Sequence, residues 1–305
     1  MTNRRFRLAA AALSLAAPAL VHAQAPAAQT VPVTAENFTR AESDLYFGNI
    51  VKDGGLGRFT HAGKRFMSMQ VIDEDQYTPE VIYDAGSHTF TREKIGTRYV
   101  LMGIRTLVDP ADPGDVKQVH ALQDAIKVSQ ERPGRFEVPS WDPASQKKVR
   151  DALLVLAQTL PDSARMFGTK DQVDPVRRLI GAASAWGGNP EKDATYLNVT
   201  PSKNDGTTVY QLTVEDVPID GFWSISVYDA KGYFQRNRYN AYTLNNITAK
   251  KGADGSVAIQ FGGCDGKIAN CLPITPGWNY MVRLYRPRAE ILNGSWSFPQ
   301  AQPAA

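Results

Sequence analysis

The chain has 305 residues, 43% of them hydrophobic and 21% charged, with a formal net charge of +3 at pH 7. Arg4, Arg5 and Arg7 supply that excess. The remainder is charge-balanced and lacks the electrostatic footprint that nucleic acid demands.

Those arginines precede an apolar run from Leu8 to Leu20 and the compact Val21-His22-Ala23, which reads as a secretory signal cut after Ala23. No later run approaches the roughly 20 apolar residues of a membrane helix, so a periplasmic or secreted protein without a membrane span is expected. About 280 residues then remain, enough for one large or two ordinary domains. Residues 24–33 read as an unstructured Ala/Gln/Pro linker.

The interval 34–111 reads as a helix followed by a small β domain. Thr34 caps a helix with Phe38, Ala41 and Leu45 at three- and four-residue spacing, stopped by Gly54-Gly55. β-rich runs at 66–72, 80–83, 88–92 and 98–107 then make a small sheet. The adjacent Asp73, Glu74 and Asp75 read as a solvated turn, because neighbours on a strand point apart.

Residues 112–190 read as helical. Val119, Leu122 and Ile126 share a face. Asp142 caps a second helix that has Pro143 at its first position and a core face of Val149, Leu153, Leu156 and Leu160. A third segment, 170–185, carries Val173, Val176, Leu179 and Ile180 and stops at Trp186-Gly187-Gly188-Asn189-Pro190. Amphipathic helices in such a row are expected to bury their apolar faces on each other or on a sheet.

From Tyr196 the pattern is β, with turns at Asn204-Asp205-Gly206, Asp229-Ala230-Lys231-Gly232 and Ala253-Asp254-Gly255. Strands read 207–214, 221–228, 256–261 and 279–285, so 191–299 is expected to form an antiparallel β-sandwich or jelly roll, with 300–305 a tail. The whole is mainly β with a helical middle. Cys264 and Cys271, the only two cysteines, point in an exported chain to a disulfide stapling a hairpin connection, against two free thiols or half of a metal site.

Candidate binding residues come from strand alternation. Trp223, Ile225 and Val227 face one way, and Ser224, Ser226 and Tyr228 the other. Tyr280, Val282 and Leu284 likewise alternate with Met281, Arg283 and Tyr285. If the second sets converge they form a polar, aromatic-lined patch for an anionic or sugar-like ligand; otherwise they form a solvated outer sheet face. The loop holding Tyr239, Asn240 and Tyr242, with Arg236, Asn237 and Arg238 before it, is rich in groups that stack on and hydrogen-bond to carbohydrates, as ordinary loops also are.

Catalytic and metal signatures are sparse. The Gly-x-Ser-x-Gly elbow is missing, and Ser145 with Lys148 matches a Ser-x-x-Lys spacing that chance supplies. His61, His88 and His120 lack metal-ligand spacing, so no metal and no cofactor is expected. Asp220, Asp229 and Asp265 are carboxylates for a general acid without further support.

Trp223-Ser224-Ile225-Ser226-Val227-Tyr228, Phe261-Gly262-Gly263-Cys264 and Pro276-Gly277-Trp278-Asn279-Tyr280 closely resemble a bacterial exported family of paired domains of unknown function, numbers 1254 (amino-terminal) and 1214 (carboxy-terminal). Phe47-Gly48-Asn49, Gly96-Thr97-Arg98-Tyr99 and Arg105-Thr106-Leu107-Val108-Asp109-Pro110 extend the likeness to the first half. The resemblance implies two jelly-roll-like β domains flanking a helical segment, often assembled as homo-oligomers, with no established reaction. Relatives typically carry a few dozen more residues after His61, so the first domain is expected to be truncated there.

The expected function is recognition of a small polar or sugar-like ligand by Ser226, Tyr228, Tyr239, Asn240, Tyr242, Arg283 and Tyr285. The alternatives are a hydrolase or lyase built on a carboxylate–tyrosine pair, and an oligomeric scaffold.

Overall fold

The computed structural model of the chain describes residues 28–32, 45–52, 55–59, 65–110, 112–130, 135–160, 162–185 and 187–304. The first part carries strands β1 (Ala28–Pro32), β2 (Leu45–Lys52), β3 (Gly55–Phe59), β4 (Met67–Asp73), β5 (Glu80–Ile82) and β6 (Gly86–Phe90), helix α1 (Arg92–Ile95) and strand β7 (Tyr99–Thr106). The middle carries α2 (Pro113–Asp124), β8 (Lys127–Gln130), β9 (Arg135–Pro139), α3 (Pro143–Ala157) and α4 (Pro175–Ala185). Beyond it run β10 (Ala194–Val199), β11 (Tyr210–Val214), β12 (Trp223–Tyr228), β13 (Thr243–Asn245), β14 (Val257–Phe261), β15 (Cys271–Leu272), β16 (Asn279–Tyr285), α5 (Ala289–Leu292) and β17 (Gln302–Pro303). The protein is mostly antiparallel sheet with a few helices, as expected.

In the first part the strand order is β2-β7-β4-β5, beside a second sheet β6-β3-β8. Register places Met69 opposite Ile104 and Val71 opposite Met102. Period-two alternation therefore gathers Met67, Met69, Val71, Met102 and Ile104 with Phe90 and Ile95 into one apolar core. The other face of β4 and β7 carries Ser68, Gln70 and Arg105, and these are buried too. Gln70 is covered because its amide donates to the carbonyls of Gly187 and Gly188 at 3.0 and 2.9 Å.

The last part is a sandwich of two four-stranded sheets, β10-β16-β12-β13 and β15-β14-β11-β17. Trp223, Ile225, Val227, Tyr280, Val282 and Leu284 of one sheet meet Tyr210, Leu212, Val214, Val257, Ile259 and Phe261 of the other in a single core. The two parts of the chain join where Phe66 packs against Phe222 and Tyr285, beside Leu107 and Ala194.

Several expectations are corrected. Ala28–Pro32, read as unstructured linker, is a strand paired with Arg135–Pro139, and β3, β8 and β9 add strands that the sequence did not suggest. Leu45–Lys52, read as the end of a helix, is a strand paired with β7. Tyr46, Phe47, Ile50 and Val51 are β-formers, and a partner strand outweighs the helical spacing that ends at Leu45; residues 34–44 and the junction after His61 lie outside the described residues.

Helix α3 starts with Asp142 accepting from the amides of Ala144 and Ser145, as the Asp-Pro signal predicts. Helix α4 begins later than expected, at Pro175, where the Asp174 carboxylate accepts from the amides of Val176 and Arg177. The expected core face of α3 is not buried. Val149 and Leu156 are 58% and 48% exposed, although α4 packs against α3.

Cys264 and Cys271 are disulfide-bonded, which indicates an oxidising compartment. The bridge does not close a hairpin, because β15 lies parallel to β14. No helix among the described residues is long and apolar enough to cross a membrane.

Candidate functional site

Strands β12 and β16 pair with Ser224 opposite Arg283 and Ser226 opposite Met281. Arg283 reaches diagonally across this ladder. Its Nη1 donates to Ser226 Oγ at 3.0 Å and its Nη2 to the Tyr228 phenol at 2.7 Å. Ser226 Oγ in turn donates to Thr243 Oγ1 at 3.1 Å, which donates to the Ile225 carbonyl at 2.9 Å. The hydroxyls are consumed in sequence, so the guanidinium is fixed by neutral acceptors only.

A guanidinium has five N–H donors, and Arg283 makes these two hydrogen bonds with no carboxylate partner among the described residues. Burial pulls against its charge, but the Tyr228, Tyr285 and Tyr196 phenols outweigh that and raise its pKa, so it is cationic at every accessible pH. The face is therefore not the solvated sheet surface allowed by the sequence. Ser224 and Ser226 are buried on it.

Beside the cation stands an aromatic shelf. The Phe234 ring stacks on Tyr228 at 5.0 Å with an interplanar angle of 5°, and Tyr242 tilts against Phe234 at 5.5 Å. Phe234 is 48% exposed. Its loop is set by Asp229, whose carboxylate accepts from the amides of Lys231 and Tyr233 at 2.9 Å and from Gln235 Nε2 at 2.6 Å. The Tyr233 amide leads these contacts in holding the Asp229 carboxyl below its ordinary range.

The structure thus gathers Ser226, Tyr228, Tyr242 and Arg283 and separates the other expected residues. Tyr239 donates to the Cys264 carbonyl at 2.6 Å, packing the loop onto the disulfide segment. Asn240 is exposed and takes a left-handed turn at φ 51°. Tyr285 stacks on Phe222 at 4.2 Å, under the Arg105 guanidinium. Phe234 was missed; its only sequence signal is its position just after the Asp229–Gly232 turn, at the head of the loop.

The isolated carboxylates are accounted for. Asp220 pairs with Arg288 at 2.7 Å. Asp265 accepts from the Lys267 and Ile268 amides. No group of three potential metal ligands occurs among the described residues.

Comparison with known proteins fits this architecture. Residues 194–289 match the family model described as a protein of unknown function, DUF1214. No curated protein sequence matches the chain. The crystal structure of the VPA0106 protein from Vibrio parahaemolyticus is similar, with a TM-score of 0.68 and 15% identity over 88% of this chain and 91% of that one. An uncharacterised protein from Burkholderia cenocepacia is more distant, with a TM-score of 0.45 and 10% identity over 80% of this chain and 72% of that one. The stretch that matches the DUF1214 model includes β12, β16 and Arg283, and it lies within a fold similar to that of the Vibrio protein.

Proposed function

We propose that the protein is an exported binding protein that takes a small anionic, ring-bearing ligand, such as a sugar acid, on the outer face of β12 and β16. The observation that carries this reading is Arg283, a charge held by two hydroxyls without a carboxylate, next to the exposed ring of Phe234. Arg is the side chain suited to bidentate capture of carboxylate or phosphate, and a ring on the Phe234 shelf adds stacking. Export rests on the leader pattern, and the disulfide is consistent with it. The resemblance of the first half to family 1254 belongs to the same reading.

A thermal-shift panel of hexuronic acids, sugar phosphates and neutral sugars tests it. At least one anion is expected to raise Tm in the wild type, and Arg283→Gln combined with Tyr228→Phe is expected to abolish that shift. An unchanged shift in the double variant sinks the reading.

A second reading, self-association, is supported by α3. Val149, Leu153 and Leu156 recur at intervals of four and three, the seam spacing of helix pairs, yet Val149 and Leu156 are exposed. Residues 141–185 hold seven Lys and Arg against five Asp, too balanced for an anionic membrane surface. Light scattering is expected to show a dimer that Val149→Glu with Leu156→Glu converts to monomer; a monomeric wild type at high concentration removes this reading.

A further inference from the structure

Arg105 projects from β7 opposite Ser68, on the face turned away from the first core. It is 9% exposed, and its guanidinium lies 4.8 Å from the centre of the Tyr285 ring. No hydrogen-bond acceptor and no carboxylate meets it among the described residues. Other arginines of the fold differ. Arg65 takes the Leu107 carbonyl and Asp115, Arg177 takes the Ala164 carbonyl and Asp162, and Arg283 takes Ser226 and Tyr228.

A second unmet group stands in the same junction. Asp193 is 6% exposed; its Oδ1 accepts from the Tyr83 phenol at 3.0 Å, while its Oδ2 is buried without a donor. Tyr83 also carries the Arg286 guanidinium over its ring at 5.0 Å, and it feels the charges of Asp193, Arg286 and Arg105 together. Arg286 is held at φ 52°, a strained left-handed conformation for a side-chain-bearing residue. Its amide donates to the Asp193 carbonyl and its carbonyl accepts from the Asp220 amide, both at 2.9 Å. The first of these bonds ties Arg286 to Asp193 and the second ties it to Asp220.

We infer that this junction is a second recognition site, for a small hydroxycarboxylate whose carboxylate is taken by Arg105 and whose hydroxyl donates to Asp193 Oδ2. The Arg105 N–H groups, which meet no protein acceptor among the described residues, are open to a ligand carboxylate, and the buried Asp193 Oδ2 without a donor is unfavourable alone. A ligand with both an anion and an adjacent hydroxyl satisfies the two at once. A plain carboxylate satisfies only Arg105, and a polyol satisfies only Asp193. Phe66, Tyr83 and Tyr285 supply the apolar wall. The site differs from the Arg283 face in its elements, since Arg105 and Tyr83 come from the first part of the chain.

Isothermal titration of the full chain with glycolate and D-glycerate tests this, with propionate and glycerol as controls. At least one hydroxy acid is expected to bind roughly 10-fold or more tightly than either control, the ratio expected when a buried polar group is left unpaired. Arg105→Gln and Asp193→Asn should each weaken that binding about 10-fold or more, and Arg283→Gln should leave it unchanged. If Arg105→Gln does not fold, Arg105→Lys, which keeps the charge but not the fork, should still lower the affinity. Three results overturn the site: no hydroxy acid binds the folded wild type, propionate binds equally well, or Arg283→Gln abolishes binding while Arg105→Gln and Arg105→Lys do not.

Discussion

Arg283 and Tyr228 meet across neighbouring strands, with Nη2 donating to the phenol oxygen at 2.7 Å. The same phenol ring is the base on which Phe234 stacks. One tyrosine thus fixes both the cation and the aromatic shelf, so perturbing it should disturb charge recognition and ring recognition together.

Tyr228→Phe keeps the stack and deletes the hydroxyl. Losing a hydrogen bond to a charged group costs roughly 1.5–3 kcal/mol, and urea unfolding should show a loss in that range. A double-mutant cycle with Arg283→Met should return a coupling energy of the same sign. A coupling near zero would mean that the guanidinium finds another acceptor.

The disulfide ties the segment just after β14 to the edge strand β15 across a short loop. In the chain-entropy picture a loop of this length stabilises by about 2.5 kcal/mol. Cys264→Ser with Cys271→Ser, or reductant added to the wild type, should lower Tm by comparable amounts. Because Tyr239 donates to the Cys264 carbonyl, near-ultraviolet circular dichroism should change as well. A Tm insensitive to reductant would contradict a structural bridge.

Gly221 lies where β12 leaves the junction. A Cβ there would stand 2.6 Å from the Tyr285 carbonyl oxygen and 3.1 Å from the Phe66 ring. Since the first neighbour is backbone, it cannot yield by changing rotamer. Gly221→Ala should therefore destabilise by about 1–3 kcal/mol, the usual cost of overpacking. Thermal unfolding that matches the wild type would show that the junction is looser than its contacts.

What the sequence made legible is local. Asp142-Pro143 specifies a helix start by itself, and Trp223, Ile225 and Val227 share a core face because alternation follows from strand geometry. What it left hidden depends on distant partners. Tyr285 shares a face with Arg283, yet the first sheet reaches that end of β16 and Arg105 and Phe66 take the ring. Phe234 lies in an irregular loop with no period to read, and nothing in the β-rich run 98–107 shows that Arg105 meets the ring of Tyr285. The exposed seam of α3 is the reverse case, a pattern written in the sequence whose partner the single chain does not supply.

Two aspartates should respond to acid in opposite directions. Asp205 accepts from the amides of Thr208 and Thr207 and from the Thr208 hydroxyl, and the backbone bond from Thr208 leads in depressing its pKa well below the usual carboxylate range. A depressed folded value means stability that is present above the unfolded pKa of about 3.9 and is lost as pH falls through the folded value. The gap in urea midpoint between wild type and Asp205→Ala should therefore be widest near neutrality and shrink below about pH 4. Asp193 is raised, burial outweighing its bond from Tyr83 and the charges of Lys192 and Arg286. Its contribution is present below the unfolded pKa and is lost as pH rises through the folded value, so the wild type should gain on Asp193→Asn as pH falls. Parallel pH profiles for the two variants would refute the opposed assignments, since the turn at Asp205 and the junction at Asp193 would then titrate alike.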